Sequence, residues 1–149
     1  MINALKELKT QLKGELKLDE TTLILYSTDA SAYREKPLAV FIVEKDYYQD
    51  IKLLLDFCKA HNTFLIPRAA GTSLAGQVVG AGIVVDVSKN LNQILEINVQ
   101  EKWARVQAGV VLQQLNQYLK PYNLLFGPET STANRCCIGG MVGNNSCGL

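Results

Sequence analysis

The feature that most constrains the fold is a loop of small and hydroxyl-bearing residues between two apolar runs. The loop is Pro67 to Gln77, and the runs are Phe64 to Ile66 and Ile83 to Val87. Short apolar runs bounded by turn residues predict buried strands. Small residues let the backbone approach an anion, because successive N–H groups can point into one concavity. The sequence therefore predicts a phosphate-binding loop between two strands.

Two common phosphate-binding motifs do not fit these residues. Gly71 and Gly76 have the glycine spacing of a P-loop, but Gln77 and Val78 replace the lysine and the hydroxyl residue that must follow. A Rossmann fingerprint needs its glycines between a strand and a helix, whereas the glycines of residues 80 to 82 lead directly into a predicted strand. Both of these motifs are excluded.

A predicted βαβ unit leads into the loop. The run Leu38 to Val43 predicts a buried strand, and Asp46 with Gln49 predicts the N-cap and reciprocal partner of a following helix. Parallel pairing of its two strands would put the loop at the carboxyl edge of the sheet, where open α/β sheets bind ligands. The residues expected on the buried face of the helix are Ile51, Leu54, Leu55 and Cys58.

The remaining segments predict one hairpin and two amphipathic helices. Ile94 to Val99 and Lys102 to Ala108 predict the hairpin. Leucines at helical spacing predict one helix between Gly109 and Pro121 and another within residues 1 to 18. The predicted fold class is α/β with mixed strands.

The amino-acid composition of the chain argues against some classes of binding partner. The 149 residues are enough for one core, and 15 Lys and Arg against 14 Asp and Glu indicate neither nucleic acid nor an anionic membrane surface as a partner. No apolar run approaches the roughly 20 residues that span a bilayer. No signal-peptide pattern opens the sequence, so a cytoplasmic location is expected.

The four cysteines are expected to be free thiols rather than a disulfide framework. Adjacent Cys136 and Cys137 lack the spacing of zinc or iron–sulfur ligands. The single histidine, His61, ends a predicted helix with no ligand-like residue beside it. No metal site is predicted.

Two further stretches allow more than one interpretation from the residues alone. The segment Tyr26 to Arg34 is polar and reads as a loop. The stretch Gly127 to Gly148 is rich in glycine, asparagine and hydroxyl residues, and its composition alone favours a surface loop over a ligand site.

The order of residues in two stretches resembles the FAD-linked oxidase family. This group contains glycolate oxidases, D-lactate dehydrogenases and D-2-hydroxyglutarate dehydrogenases, within the vanillyl-alcohol oxidase and para-cresol methylhydroxylase superfamily. Pro67 to Ser73 is similar to the family's Pro-Arg-Gly-Gly-Gly-Thr-Ser, with Ala69 and Ala70 in place of two glycines. Ile138 to Gly148 is similar to Ile-Gly-Gly-Met-x-Gly-Asn-Asn-x-x-Gly. The resemblance extends from Tyr26 to Leu149.

The resemblance implies an α/β (α+β) fold of the para-cresol methylhydroxylase-type FAD-binding domain. The first subdomain would contain the βαβ unit, and the start of the second would follow. Residues 1–34 would be an amino-terminal helix and lead-in, and residues 35–149 the FAD-binding domain, incomplete at its carboxyl end. Tyr26 to Arg34 would be either a wall near the flavin or substrate or a purely structural segment.

The resemblance also implies which residues bind the cofactor. Thr72 and Ser73 stand where some relatives tether the flavin through a histidine, so non-covalent FAD is expected. The residues implied at the pyrophosphate are Arg68, Ala69, Ala70, Gly71, Thr72 and Ser73, with Gln77 in the same cofactor-binding loop. Those implied to flank the ring and ribityl chain are Pro128, Thr130, Ser131, Gly139, Gly140, Asn144, Asn145 and Gly148.

The implied parent protein oxidises a small 2-hydroxy acid of the glycolate or D-lactate type by hydride transfer to FAD and passes electrons to an acceptor. The 149 residues would be its amino-terminal portion, inactive alone, with catalytic residues and any iron–sulfur cluster in an absent carboxyl-terminal region. Two alternatives remain open. One is a flavin reductase of the same superfamily acting on a nucleotide sugar, and the other is a structural module that does not retain FAD alone.

Overall fold

A four-stranded mixed sheet forms the centre of the fold in the computed structural model, which describes residues 1–147. Its strands are β1 (Glu15–Lys17), β2 (Ala39–Ile42), β3 (Leu65–Arg68) and β4 (Ile83–Asp86). The order across the sheet is β1, β2, β4, β3. Strand β1 is antiparallel to β2, whereas β2 and β3 both pair with β4 in parallel. The carboxyl ends of three strands therefore meet at one edge.

Five helices and a separate hairpin complete the fold of residues 1–147. The helices are α1 (Ile2–Gln11), α2 (Glu20–Leu25), α3 (Tyr48–His61), α4 (Leu112–Leu119), which continues into a short 3-10 turn (Lys120–Tyr122), and α5 (Ile138–Gly143). The hairpin consists of β5 (Ile94–Asn98) and β6 (Trp103–Val106), which pair antiparallel. Within residues 1–147, no helix has the length and apolar character needed to cross a membrane.

The predicted βαβ unit needs one correction, because β4 lies between its two strands. Strands β2 and β3 are parallel, as predicted, but neither pairs with the other. Every residue of β4 is buried, which suits a central strand. Strand β3 contains Pro67, which is exposed and has no N–H for a ladder, so β3 suits the edge. The strand also extends to Arg68, so the loop begins at residue 69 rather than 67.

The predicted start of α3 is wrong. The N-cap residue is Tyr47, which makes no side-chain cap bond, and the Asp46 carboxylate instead lies 2.7 Å from Lys13 Nζ at the surface. The carboxylate that the fold buries is Asp50, within the first turn of the helix. It accepts the backbone N–H groups of Lys13 at 3.0 Å and Gly14 at 2.8 Å, and it is only 1% exposed.

The buried face of α3 also differs from the prediction at one position. Leu54 and Cys58 are buried, as expected, and Ile51 packs against the core. Leu55 is 46% exposed, and Phe57 is buried in its place. The helix is therefore rotated so that its face towards the sheet passes through position 57.

The amino-terminal segment holds two elements that the leucine spacing did not predict, β1 and α2. The side chain of Asp19 caps α2 by accepting the N–H of Thr22 at 2.9 Å. Leu5 and Leu8 of α1 and Leu16 of β1 are buried in the same apolar cluster as the strands of the sheet. The division of the chain at residue 34 stays a prediction.

A second apolar cluster supports the carboxyl-terminal stretch. The predicted hairpin and the predicted helix with Leu112, Leu115 and Leu119 on its buried face are confirmed. Composition alone favours a surface loop over residues 127–148, but α5 forms there because Ile138 and Met141 are buried against α4 and the hairpin.

The buried carboxylate of Asp50 supplies a test of this fold. We expect Asp50→Ala to lower the free energy of unfolding by about 3 kcal/mol, because two amide groups at the α1 to β1 junction lose their acceptor. Chemical denaturation measures the loss. The matched control is Asp46→Ala, which removes an exposed ion pair with Lys13 and should cost far less, because water screens exposed charges. Equal losses in the two variants would contradict the prediction.

Candidate functional site

The loop after β3 is a closed turn braced by its own side chains. Gly71 and Gly76 have φ angles of 66° and 71°, a conformation that favours glycine. The Ser73 hydroxyl donates to Gln77 Oε1 at 2.7 Å and accepts the N–H of Ala75 at 3.1 Å. The predicted pyrophosphate loop is therefore a preformed turn at the carboxyl edge of the sheet.

Consecutive backbone N–H groups of this loop, among them those of Gly71, Thr72 and Ser73, are free to bind a ligand. Among residues 1–147, none provides an acceptor for the N–H groups of Gly71, Thr72 and Ser73. These residues are only partly buried, so the amides are not sealed inside the protein. Consecutive unpaired N–H groups beside a residue of positive φ form a concavity that attracts anions.

The structure brings the two glycine-rich motifs together. A Cβ built on Gly140 would lie 3.7 Å from the Cβ of Ala69, so these two backbones face each other across a narrow gap. Beside them, the thiol of Cys137 lies close enough to the Ala70 backbone for that group to lower its pKa, while Cys137 Sγ donates to the carbonyl oxygen of Arg135 at 3.7 Å. Residues about 70 positions apart in the sequence therefore form one surface.

The surroundings of the Cys137 thiol change its pKa. Burial, together with the neighbouring Cys136, raises the pKa of the Cys137 thiol, while the Ala70 backbone opposes the rise. A buried thiol of raised pKa stays protonated and unreactive at neutral pH. Cys137 therefore contributes packing and a weak hydrogen bond at the junction of the motifs.

Several predicted site residues of the second motif have partners inside the protein. Thr130 Oγ1 lies 3.0 Å from Cys136 Sγ, and Asn144 Nδ2 donates to Ser146 Oγ at 2.9 Å. Gly139 is needed for packing, because a Cβ there would lie 2.7 Å from the Cβ of Ala108. Pro128 is half-buried, Ser131 and Asn145 are exposed, and Gly148 lies outside the described residues. Flavin contacts by these residues stay predictions.

The side chain of Arg68 faces the protein. Its Nη1 donates to the carbonyl oxygen of Thr28 at 2.7 Å, and its Cζ lies 5.1 Å from the centre of the Tyr26 ring. A Cβ built on Gly71 would lie 2.6 Å from Nη2. The guanidinium therefore fills the space beneath the loop turn.

The pairing of Tyr26 with Asp86 was not predicted from the sequence. The Tyr26 hydroxyl donates to Asp86 Oδ2 at 2.5 Å, and Asp86 is only 3% exposed. Asp86 Oδ1 accepts the N–H of Ser88 at 2.8 Å and its hydroxyl at 2.6 Å. One signal was available, because Asp86 is the single charged residue in the apolar run of residues 83 to 87.

The surroundings of Tyr26 favour its neutral form. Burial is the main cause that raises the pKa of Tyr26, and the hydrogen bond and charge of Asp86 add to it, while Arg68 opposes the rise. The phenol therefore remains a hydrogen-bond donor throughout the physiological pH range.

Two surface depressions accompany these contacts. A cleft of about 250 Å³ borders the loop and is lined by Tyr33, Arg34 and Gly76 among others. A larger groove of about 510 Å³ runs along α4 past Asn116 and includes neither motif. The unpaired backbone N–H groups of the loop, rather than the larger groove, mark the candidate site.

The chain belongs to the FAD binding domain family. The model of that family matches residues 37–149, which contain both glycine-rich motifs. The family expected from the order of residues is thereby confirmed.

Curated proteins similar to this chain are dehydrogenases and oxidases. D-2-hydroxyglutarate dehydrogenase of Pseudomonas putida is 43% identical over 137 residues, and that match covers 91% of this chain and 14% of the relative. The Escherichia coli protein of the same name is 38% identical over 99% of this chain and 15% of its own. Glycolate oxidase subunit GlcD of Bacillus subtilis is 32% identical over 97% of this chain and 31% of its own. The chain thus spans less than a third of the length of each of these relatives.

Solved structures show the same fold. Alkyldihydroxyacetonephosphate synthase superposes with a TM-score of 0.79 at 18% identity, covering 99% of this chain and 32% of that one. p-Cresol methylhydroxylase with substrate bound superposes with a TM-score of 0.77 at 16% identity, covering 95% of this chain and 28% of that one. The predicted para-cresol methylhydroxylase-type FAD-binding fold is confirmed.

The residues present fit the FAD that this family binds. A pyrophosphate needs donors without a bulky side chain in front of them, and the loop supplies free N–H groups at Gly71, Thr72 and Ser73. Gly140 and Ala69 lie close together where the two motifs meet, and neither carries more than a methyl group. The N–H groups of the loop would hold the pyrophosphate of FAD, and the cofactor would supply the redox chemistry.

The Tyr26 phenol gives a pH-dependent test of the contacts beneath the site. Its pKa is higher in the folded protein than the unfolded value of 10.0, so its contribution to stability is complete below about pH 10 and is lost above it. We expect the free energy of unfolding to fall more steeply between about pH 10 and pH 11 in the wild type than in Tyr26→Phe. Urea denaturation at several pH values measures both slopes, and parallel slopes would contradict the assignment.

Proposed function

We propose that this chain is the FAD-binding portion of a flavin-dependent oxidoreductase that oxidises a small 2-hydroxy acid. The observation that carries the proposal is the row of free N–H groups at Gly71, Thr72 and Ser73. Their loop meets the second glycine-rich motif where Ala69 lies beside Gly140. These amides provide an anion site at the edge of the sheet where parallel strands end.

The substrate class comes from the relatives. Their names contain glycolate and D-2-hydroxyglutarate, which share a hydroxyl group on the carbon next to a carboxylate. When bound, FAD supplies the hydride acceptor that oxidation of such an alcohol requires. The catalytic residues, the electron acceptor and any iron–sulfur cluster are proposed to lie outside this chain.

The role of this chain is to bind and orient the cofactor. The amides of Gly71 to Ser73 offset the charge of the pyrophosphate, and the Thr72 hydroxyl adds a donor of its own. The side chain of Ser73 is already bonded to Gln77, so it holds the shape of the turn. We propose that FAD is bound without a covalent link, because the loop offers hydroxyl groups rather than a histidine.

The first experiment measures flavin binding and its reduction. The natural full-length protein is purified, desalted and scored for a bound flavin band in its visible spectrum. Glycolate, D-lactate and D-2-hydroxyglutarate are then added without oxygen, and bleaching of the band identifies the substrate. A colourless protein that also fails to take up added FAD would overturn the proposal. A yellow protein bleached only by NADPH would favour the flavin reductase alternative.

A substitution in the loop tests where FAD binds. We expect Gly71→Val to abolish FAD retention in the full-length protein, because a β-branched residue is strained at a φ of 66° and its side chain would meet the Arg68 guanidinium. The ratio of flavin to protein after desalting measures retention. Gly127→Val is the matched control, since a Cβ there meets no atom within 4 Å. Unchanged flavin content in the Gly71 variant would remove this loop from the site.

A further inference from the structure

We propose that Arg68 is a positioning residue for FAD, which sets the geometry of the loop amides from beneath and does not itself contact the pyrophosphate. The inference rests on the proposed function, because it concerns how the same loop binds the cofactor. It differs from the expectation raised by the family resemblance, in which Arg68 is one of the pyrophosphate ligands.

The contacts of Arg68 form a closed ring with the loop. Arg68 Nη1 donates to the Thr28 carbonyl oxygen at 2.7 Å. Two residues further on, the Ala30 N–H donates to the Gly71 carbonyl oxygen at 3.1 Å. The Cα of Gly71 in turn faces the guanidinium, because a Cβ built there would lie 2.6 Å from Nη2. Both the carbonyl and the α-carbon of Gly71 are therefore located by this ring.

The turn at Gly71 controls where the ligand-binding amides point. Its φ of 66° lies in the left-handed region, immediately before Thr72 and Ser73. A change in that angle would redirect the N–H groups of both residues. Binding energy of the cofactor thus depends on a side chain that lies on the far side of the backbone.

Tyr26 and Asp86 determine the position of Arg68. The guanidinium lies over the Tyr26 ring, and the Tyr26 hydroxyl is bonded to Asp86 Oδ2 at 2.5 Å. Asp86 is the register partner of Arg68 in the ladder between β3 and β4. The ring of contacts around Arg68 is therefore anchored to the sheet itself. The Arg68 side chain has little freedom to turn outward to an anion.

The positioning role requires a planar guanidinium, whereas a direct contact with phosphate does not. This difference allows the two roles to be distinguished. Arginine can cover an aromatic ring and donate to a carbonyl at the same time, whereas the ammonium of lysine is a point charge that does not reproduce both contacts. A lysine still attracts a phosphate. The positioning role predicts that Arg68→Lys is as harmful as Arg68→Met, and the direct role predicts that Arg68→Lys retains most of the affinity.

The test measures the FAD dissociation constant of the full-length apoprotein by flavin fluorescence, for the wild type, Arg68→Lys, Arg68→Met, Tyr26→Leu and the double variant Tyr26→Leu/Arg68→Met. Both Arg68 variants should bind FAD about tenfold more weakly, and Tyr26→Leu should weaken binding in the same direction. The fold-loss of FAD affinity in the double variant should be smaller than the product of the two single fold-losses, because both changes break the same ring of contacts.

The matched control is Arg105→Met. Arg105 lies over the Trp103 ring at 5.8 Å and pairs with Glu96 at 3.3 Å, so it has the same kind of contacts on the exposed hairpin. Its loss should leave the FAD dissociation constant unchanged. Thermal unfolding of each apoprotein separates a change in binding from a general loss of stability.

Each outcome decides the inference. Near-wild-type affinity in Arg68→Lys with weak binding in Arg68→Met would show a direct phosphate contact and overturn the positioning role. Lower thermal stability with unchanged FAD affinity in both Arg68 variants would reduce Arg68 to a structural residue. If the losses of FAD affinity in the double variant were strictly multiplicative, Tyr26 would not hold Arg68 in place, and the ring of contacts on which the inference rests would be overturned. Failure of the wild type to bind FAD would overturn the proposed function and this inference together.

Discussion

The buried carboxylate of Asp86 is the group on which the site-bearing edge of the sheet depends. A buried charge is costly unless hydrogen bonds compensate it, and Asp86 receives them from the Tyr26 hydroxyl and from the backbone and side chain of Ser88. Because Asp86 ends β4 and faces Arg68 of β3 in the ladder, these bonds tie the segment after α2 to two strands. The loop that carries the free N–H groups begins directly beyond this junction.

The unpaired N–H groups of the loop connect the stability of the fold with ligand binding. The N–H groups of Gly71, Thr72 and Ser73 have no acceptor among the described residues and are only partly buried, so a ligand can bind them without displacing a hydrogen bond of the fold. The left-handed turn at Gly71 is maintained by contacts from Ala30 and Arg68 rather than by the loop alone. A ligand that binds only the folded state would in turn stabilise it by mass action.

Local patterns predicted those elements whose signals are themselves local. The spacing of Leu112, Leu115 and Leu119 located α4, and the alternating run before Gly109 located the hairpin. The patterns failed where contacts with residues far away in the sequence determine the structure. Asp46 resembles an N-cap in sequence, yet the carboxylate that the fold buries is Asp50, because the amides of Lys13 and Gly14 arrive there from another element. The insertion of β4 between β2 and β3 likewise depends on pairing with strands that lie far away in the sequence.

The sequence by itself determined the family, the two glycine-rich motifs and the residues able to form an anion-binding turn, since these depend on residue type and order along a short stretch. Only the tertiary structure decided how they are used. Tyr26 and Asp86 are 60 positions apart, and Gly140 meets Ala69 across a still longer separation. No local pattern encodes such partners, because they are chosen by the packing of whole elements. The inward direction of Arg68 has the same origin, since its partners Thr28 and Tyr26 reach it through the folding of the sheet edge.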